Sequence, residues 1–174
     1  LTAMDKDCTV ADIERARKLL AEHGIRTGFF LQLGYPGETV ADVRTTVDLI
    51  ARLRPEEIGV SVSYPMPGTA FYEHVKDSMG ASNWETSMDN RTLFEAPYSQ
   101  EFYAAAKQLL RSTHSASHRR AVLMTFLKQP NQEHARRVLG AAWHSLKRPL
   151  AEAKMERLAV DNPQAVKLTW SGTA

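Results

Sequence analysis

The chain has 174 residues, 43% of them hydrophobic and 24% charged, with a mean hydropathy of −0.36 and a formal net charge of +2. That is ample for one globular core, and no apolar run approaches the 18 residues of a membrane-spanning helix, so the composition reads as a soluble protein. Cys8 is the only cysteine, which rules out an internal disulfide and makes a reducing cytosol the default.

In chain order, Leu1 stands where an initiator methionine would, and no basic segment followed by an apolar run comes after it. The expectation is a piece of a longer protein, the alternative being a processed mature chain. Thr9-Val10-Ala11-Asp12-Ile13 recurs as Thr39-Val40-Ala41-Asp42-Val43. In each copy the Thr hydroxyl can accept from the backbone N–H three residues on, while the Asp reaches back: a capping box with Asp for Glu. Each box opens an amphipathic helix. The first carries Ile13, Ala16, Leu19 and Leu20 and stops at Gly24; the second carries Val43, Val47, Ile50 and Leu53 and stops at Pro55.

A strand-like run follows each helix, at 25–33 and at 58–64. Two strands with a helix between them predict a parallel pair joined by a right-handed crossover. The second run alternates large apolar residues with Gly or Ser, a face that suits the tapered interior of a barrel or the close approach of a ligand. A short helix is expected at 70–77, then a loop through Gly80 and Asn83, then helix almost throughout. Residues 102–127 read as one long or broken helix, ended before Pro130. Asn131 caps the next, with an apolar stripe of Ala135, Val138, Leu139, Ala142, Trp143 and Leu146. Pro149 begins a further helix to about residue 160, and the last dozen residues read as frayed.

The fold class expected is therefore α/β: the C-terminal β/α units of a partial (β/α)6 TIM-like barrel, followed by an all-helical extension. Its parts would be residues 1–78 as two β/α units, 79–100 as a connecting region, 101–162 as the extension and 163–174 as the tail. Charge divides similarly. Residues 1–102 hold 10 Lys/Arg against 16 Asp/Glu, a balance of −6, and residues 103–174 hold 12 against 4, a balance of +8. Because a parallel pair is normally buried on both faces, two strands call for partners supplied from elsewhere.

Chemistry is expected at two loops. Gly34-Tyr35-Pro36-Gly37-Glu38-Thr39 follows the first strand and opens the second helix, where backbone N–H groups can receive an anionic or polar group. Tyr64-Pro65-Met66-Pro67-Gly68-Thr69 follows the second strand, its prolines holding the backbone extended so that N–H and C=O groups can pair with a planar base. Taken singly, the first is also readable as a tight turn and the second as a rigid connector. Strand ends of α/β folds are where ligands bind.

The segments GFFLQLGYPGET and IGVSVSYPMPGTAFYEHV, some thirty residues apart, resemble the last two barrel strands of radical S-adenosylmethionine (SAM) enzymes. The similarity is closest to the branch that often carries an N-terminal cobalamin-binding domain. MDKDCT is similar to that family's segment after its fourth strand, and Asn83-Trp84-Glu85 and Ser99 to Tyr103 (SQEFY) to the tail of the branch. The family's pattern Gly-x-Ile-x-Gly-x-x-x-Glu falls on Gly34 and Glu38 at its last fixed positions. Phe30 replaces its first Gly and Gln32 its apolar position, where Gln32 could supply a hydrogen bond instead.

The resemblance implies that Phe30, Gln32, Gly34, Tyr35, Pro36, Gly37 and Glu38, with Ser63, Tyr64, Pro65 and Met66, position the adenosyl part of SAM, Glu38 acting as a helix-start carboxylate. It further implies a [4Fe–4S] cluster on three cysteines of a C-x-x-x-C-x-x-C loop outside this chain, since one thiol cannot hold it. Reductive cleavage of SAM would give a 5′-deoxyadenosyl radical that abstracts a substrate hydrogen, leading to methyl transfer, ring formation or rearrangement. Cobalamin is a candidate second cofactor. The implied partners are the rest of the enzyme, an external electron donor, and a small-molecule, lipid-like or tetrapyrrole-like substrate. No catalytic acid, base or metal ligand is assigned within the chain.

Other residues read more plainly: Cys8 as an ordinary thiol, His114 and His118 as a solvated i,i+4 pair, and Trp143 and His144 as packing residues. Arg119-Arg120, Arg136-Arg137 and Lys147-Arg148 form spaced basic pairs. A solvated face, complementary to the acidic first half, is the default reading. An anionic membrane surface is second and nucleic acid last. The location expected is cytoplasmic, with peripheral attachment to the inner membrane surface as a second option. Two further functions compete: a different barrel enzyme binding phosphate at the Gly34 loop, and a non-catalytic basic helical module binding anionic membrane or nucleic acid.

Overall fold

A computed structural model describes residue 4 and residues 6–79 and 96–160. Both capping boxes form as the spacing requires. Asp12 N–H donates to Thr9 Oγ1 at 3.2 Å while Thr9 N–H donates to Asp12 Oδ2 at 2.9 Å; the Thr39–Asp42 pair repeats this at 3.2 and 2.8 Å. They open α1 (Val10–Glu22) and α2 (Val40–Leu53). Gly24, at φ +69°, turns the chain off α1, and Ile25 N–H reaches back to the Leu20 carbonyl at 2.9 Å. At the end of α2 the turn falls to Arg54 at φ 46°, immediately before Pro55.

The strands are β1 (Gly28–Leu33) and β2 (Glu57–Val62), paired in parallel in the register Gly28↔Glu57 through Leu33↔Val62. Then come α3 (Ala70–Val75), a 3-10 turn at Lys76–Ser78, and three longer helices: α4 (Gln100–Ser117), α5 (Arg119–Lys128) and α6 (Gln132–Val160).

The expected α/β class, several β/α units of a partial (β/α)6 TIM-like barrel, is corrected. The described residues are 67% helical, with only two strands in one small sheet. The physical reason lies in what covers the sheet. Alternation sends Leu31, Leu33, Val60 and Val62 to one face, where they meet Val43, Val47 and Ile50 of α2 and Phe102, Ala106, Leu109 and Leu110 of α4. Ala151 and Met155 of α6 close the same core. Each fully buried Leu, Phe or Met side chain contributes about 1.5–3 kcal/mol, so helices from the second half satisfy this face without further strands.

The 102–127 stretch takes the broken form, parting at His118 into α4 and α5. Two other expectations about the helices are revised. Pro149 starts no new helix but lies inside α6, where it lacks an N–H to donate and its ring crowds the carbonyl of Ser145. Burial of Ala141 before it and of Ala151 and Met155 after it anchors both halves of the helix against the core. The expected stripe of α6 mostly faces away from the core: Leu139, Trp143 and Leu146 are 70%, 55% and 69% exposed. Asn131 does cap this helix, its Oδ1 accepting from His134 N–H at 2.7 Å. The expected loop at Gly80 and Asn83, the Asn83-Trp84-Glu85 segment and the tail at 163–174 lie outside the described residues.

α1 buries no residue and is held at the α2–β2 corner by charge. Arg17 Nη2 donates to Glu56 Oε1 at 2.8 Å and to the Arg54 carbonyl at 3.2 Å, and Arg52 pairs with Glu14 at 2.6 Å. Glu56 also accepts from Thr27 N–H at 2.7 Å, which holds its carboxyl down at about 2. His114 and His118 are not solvated as expected: each brings Nε2 to the Pro55 carbonyl, at 2.8 and 2.9 Å, so both rings carry the proton on Nε2.

This packing separates two leucines. Leu110→Ala in α4 should cost about 2–5 kcal/mol in a denaturant titration. Leu139→Ala, on the outward side of α6, should stay within about 0.5 kcal/mol of the parent. Equal losses would mean that α6 packs through the other face.

Candidate functional site

The parallel register places the ends of β1 and β2 side by side, so the Gly34 and Tyr64 loops leave the same edge of the sheet. Ser63 N–H donates to the Leu33 carbonyl at 2.7 Å, extending the ladder beyond the strands, and Gln32 Nε2 donates to Ser63 Oγ at 3.1 Å. These bonds tie the two loops together at their roots.

The eleven residues named from the sequence then separate by accessibility. Gly34, Pro36, Ser63 and Pro65 are buried; Tyr35, Glu38 and Tyr64 are partly buried; Phe30, Gln32, Gly37 and Met66 are exposed. Phe30 and Gln32 share the sheet face that no described helix covers, together with Gly59 and Ser61. Phe30 is 94% exposed, and its ring lies across Gly59: a Cβ added there would meet Phe30 Cδ1 at 3.0 Å. The absent side chain of Gly59 is what lets an aromatic ring lie along the strand. Tyr35 turns the other way and stacks on Phe71 of α3, with centroids 5.5 Å apart, fastening α3 to the first loop.

Gly34 is needed on two counts. It sits at φ +76°, and a Cβ would come within 3.0 Å of Val62 Cγ1 and 3.3 Å of Tyr103 Cζ. Its N–H donates to Glu38 Oε2 at 2.8 Å, so Glu38 closes its own loop. Burial pushes the Glu38 carboxyl up to about 7, against the pull of the Gly34 N–H and with help from the nearby Asp42. Beneath it the Tyr103 hydroxyl is buried, with no hydrogen-bond partner among the described residues. Burial, and then the Glu38 charge, raise its pKa. Tyr98 stacks on Phe102 at 4.1 Å and meets Tyr103 edge-on at 6.4 Å, so an aromatic cluster supports the loop from below.

Gly59 and Tyr103 were not singled out from the sequence. The Gly/Ser alternation of β2 does point to Gly59. Tyr103 lies in the SQEFY segment, but its position under Gly34 depends on how α4 crosses the sheet, and no local pattern encodes that.

Two open hollows lie elsewhere: one of about 440 Å³ at the start of β2, bordered by Glu56, Arg111, His114 and His144, and one along α4 bordered by Tyr103, Lys107 and Arg111. The open strand face suits a flat aromatic ligand, with the Phe30 ring for stacking and the Gln32 amide beside it. It does not suit an iron–sulfur cluster, because Cys8 is the sole thiol. No family model matches the chain, and no curated protein is significantly similar to it.

Glu38 yields a signed pH test. Its folded pKa of about 7 lies above the ordinary carboxyl value of 4.5, so its contribution to stability is fully present below about pH 4.5 and lost as pH rises through about 7. The full difference is at most about 3 kcal/mol. Glu38→Gln keeps an acceptor for Gly34 N–H and does not ionise. Relative to the parent, it should gain stability in urea titrations between about pH 5 and pH 8. A gap that stays constant with pH would show that Glu38 titrates normally.

Proposed function

We propose that this chain supplies the adenosyl-holding edge and part of the substrate wall of a radical SAM enzyme. The observation that carries the reading is that the GYPGET and YPMPGT loops, far apart in sequence, leave adjacent strands at one edge, joined through Ser63 N–H, Leu33 O and Gln32. Phe30 offers a ring for stacking on adenine, Gln32 an amide for its edge, and the Tyr64–Met66 backbone further donors and acceptors. Gly34, Glu38, Pro36 and Pro65 hold the loops in shape from beneath. SAM, when cleaved reductively at a [4Fe–4S] cluster, supplies a carbon radical that takes hydrogen from the substrate. The cluster thiolates belong to cysteines beyond these residues, and no residue here is assigned to cobalamin.

The phosphate-binding alternative is weakened by the same loop. The Gly34 N–H is already satisfied by a carboxylate, and the start of α2 is capped by Asp42, so an arriving phosphate would meet two acidic groups.

The gene's reading frame ahead of this stretch should encode a C-x-x-x-C-x-x-C segment. The full-length polypeptide, reconstituted anaerobically, should show cluster absorbance and release 5′-deoxyadenosine from SAM. Loss of one base–aromatic stack costs about 1–3 kcal/mol, so Phe30→Ala should weaken SAM binding about tenfold or more with the cluster spectrum unchanged. Absence of the cysteine segment, or SAM affinity indifferent to both Phe30→Ala and Gln32→Ala, would overturn the reading.

A further inference from the structure

α6 has a second face. Leu139, Trp143, Leu146 and Leu150 recur at steps of four, three and four residues, which aligns them on one side of the helix. They are 70%, 55%, 69% and 71% exposed, while Ala141, Ala151 and Met155 on the other side are buried in the core. Four large apolar side chains in a row on an exposed face cost solvation with no return inside this fold, and such patches mark interaction sites.

Charge indicates what covers them. Between Glu133 and Glu152 the sequence holds no acidic residue, but it does hold Arg136, Arg137, Lys147 and Arg148. Arg136 lies one turn before Leu139 and Lys154 one turn after Leu150, while Lys147 reaches back over the Trp143 ring at 4.6 Å. Of the nearby carboxylates, Glu133 pairs with Arg137 at 2.5 Å, Glu156 pairs with Arg44 of α2, and Glu152 also acts on Arg44.

We propose that this face of α6 docks on an anionic membrane surface, with the Leu–Trp row entering the headgroup boundary and the Arg and Lys side chains meeting lipid phosphates. The chemistry fits: an apolar stripe containing Trp and bordered by cations is the pattern of a helix lying in the interface plane. No described helix is long and apolar enough to cross a membrane, which accords with lying on one. A second copy of the chain is the weaker occupant. Four side chains fall far short of the roughly 20–30 residues a side in a specific interface, and mating two such faces would oppose cations to cations. Nucleic acid offers nothing for the apolar row. The inference is independent of the adenosyl reading, because α6 presents this face whatever the strand edge binds.

The test is co-sedimentation of the chain with vesicles of phosphatidylcholine containing about 30% phosphatidylserine, against pure phosphatidylcholine. Binding is expected to the anionic vesicles only, and it should fall steeply when salt is raised to about 0.5 M. Each basic residue near an anionic surface contributes about fivefold in affinity, so Arg136→Gln, Lys147→Gln and Lys154→Gln together should weaken binding about a hundredfold. Leu139→Glu with Leu146→Glu should abolish it while leaving the denaturation midpoint unchanged. No binding, equal binding to neutral vesicles, or binding that survives the double Glu variant would overturn the proposal. So would a dimer in solution that this variant dissociates, which would assign the face to a second copy.

Discussion

The structure rests on one constraint: a two-stranded parallel sheet exposes two faces, and only one of them can be covered by the helices at hand. Leu31, Leu33, Val60 and Val62 all point to the side where α2 and α4 lie, and Phe102, Leu109 and Leu110 fill the space between. Once α4 is fixed there, the rest follows. Its first turn brings Tyr103 under Gly34, its last turn brings His114 and His118 onto the Pro55 carbonyl, and its outer side receives α6. The opposite sheet face keeps Gly, Ser, Gln, one aromatic ring and, at its start, Glu57 paired with Arg26, residues that lose little by meeting water or a ligand.

The same economy shapes the loop edge. Gly34 is pressed between Val62 and Tyr103, so the backbone there has no alternative position, and its N–H is held by the carboxylate four residues on. Holding a carboxyl in that partly buried place raises its pKa toward neutrality, and the Tyr103 hydroxyl near it is buried without a well-formed hydrogen bond among the described residues. Both costs fall on residues that shape the edge rather than face its open side. Phe30, which does face it, carries no such strain, and Gln32 beside it holds Ser63 through its amide.

α6 is a helix with two apolar faces on opposite sides. One closes the core through small and flexible residues, Ala141, Ala151 and Met155; the other carries the larger Leu and Trp side chains outward. A helix running against a crowded α4 can approach closely only where its own side chains are small. The bulky row is thereby turned to solvent, in a stretch whose charged residues are all basic.

Local signals were legible in the sequence wherever the physics is local. The two Thr-x-x-Asp boxes fixed the starts of α1 and α2, Gly24 and Pro55 their ends, Asn131 the start of α6, and the apolar runs the two parallel strands, because caps, turns and strand alternation depend on residues within a few positions of each other. The candidate loops were also found this way, from glycines and prolines at strand ends. Burial was not. Leu139, Trp143 and Leu146 form as good a stripe on a helical wheel as the residues that are buried, and the wheel does not say which stripe meets α4. Sequence alone likewise gave no means of seeing that helices of the second half would cover the sheet and replace the expected barrel wall, or that Tyr103 would lie beneath Gly34. Those outcomes depend on volumes matched across long sequence separations, and only the packed tertiary structure decides them.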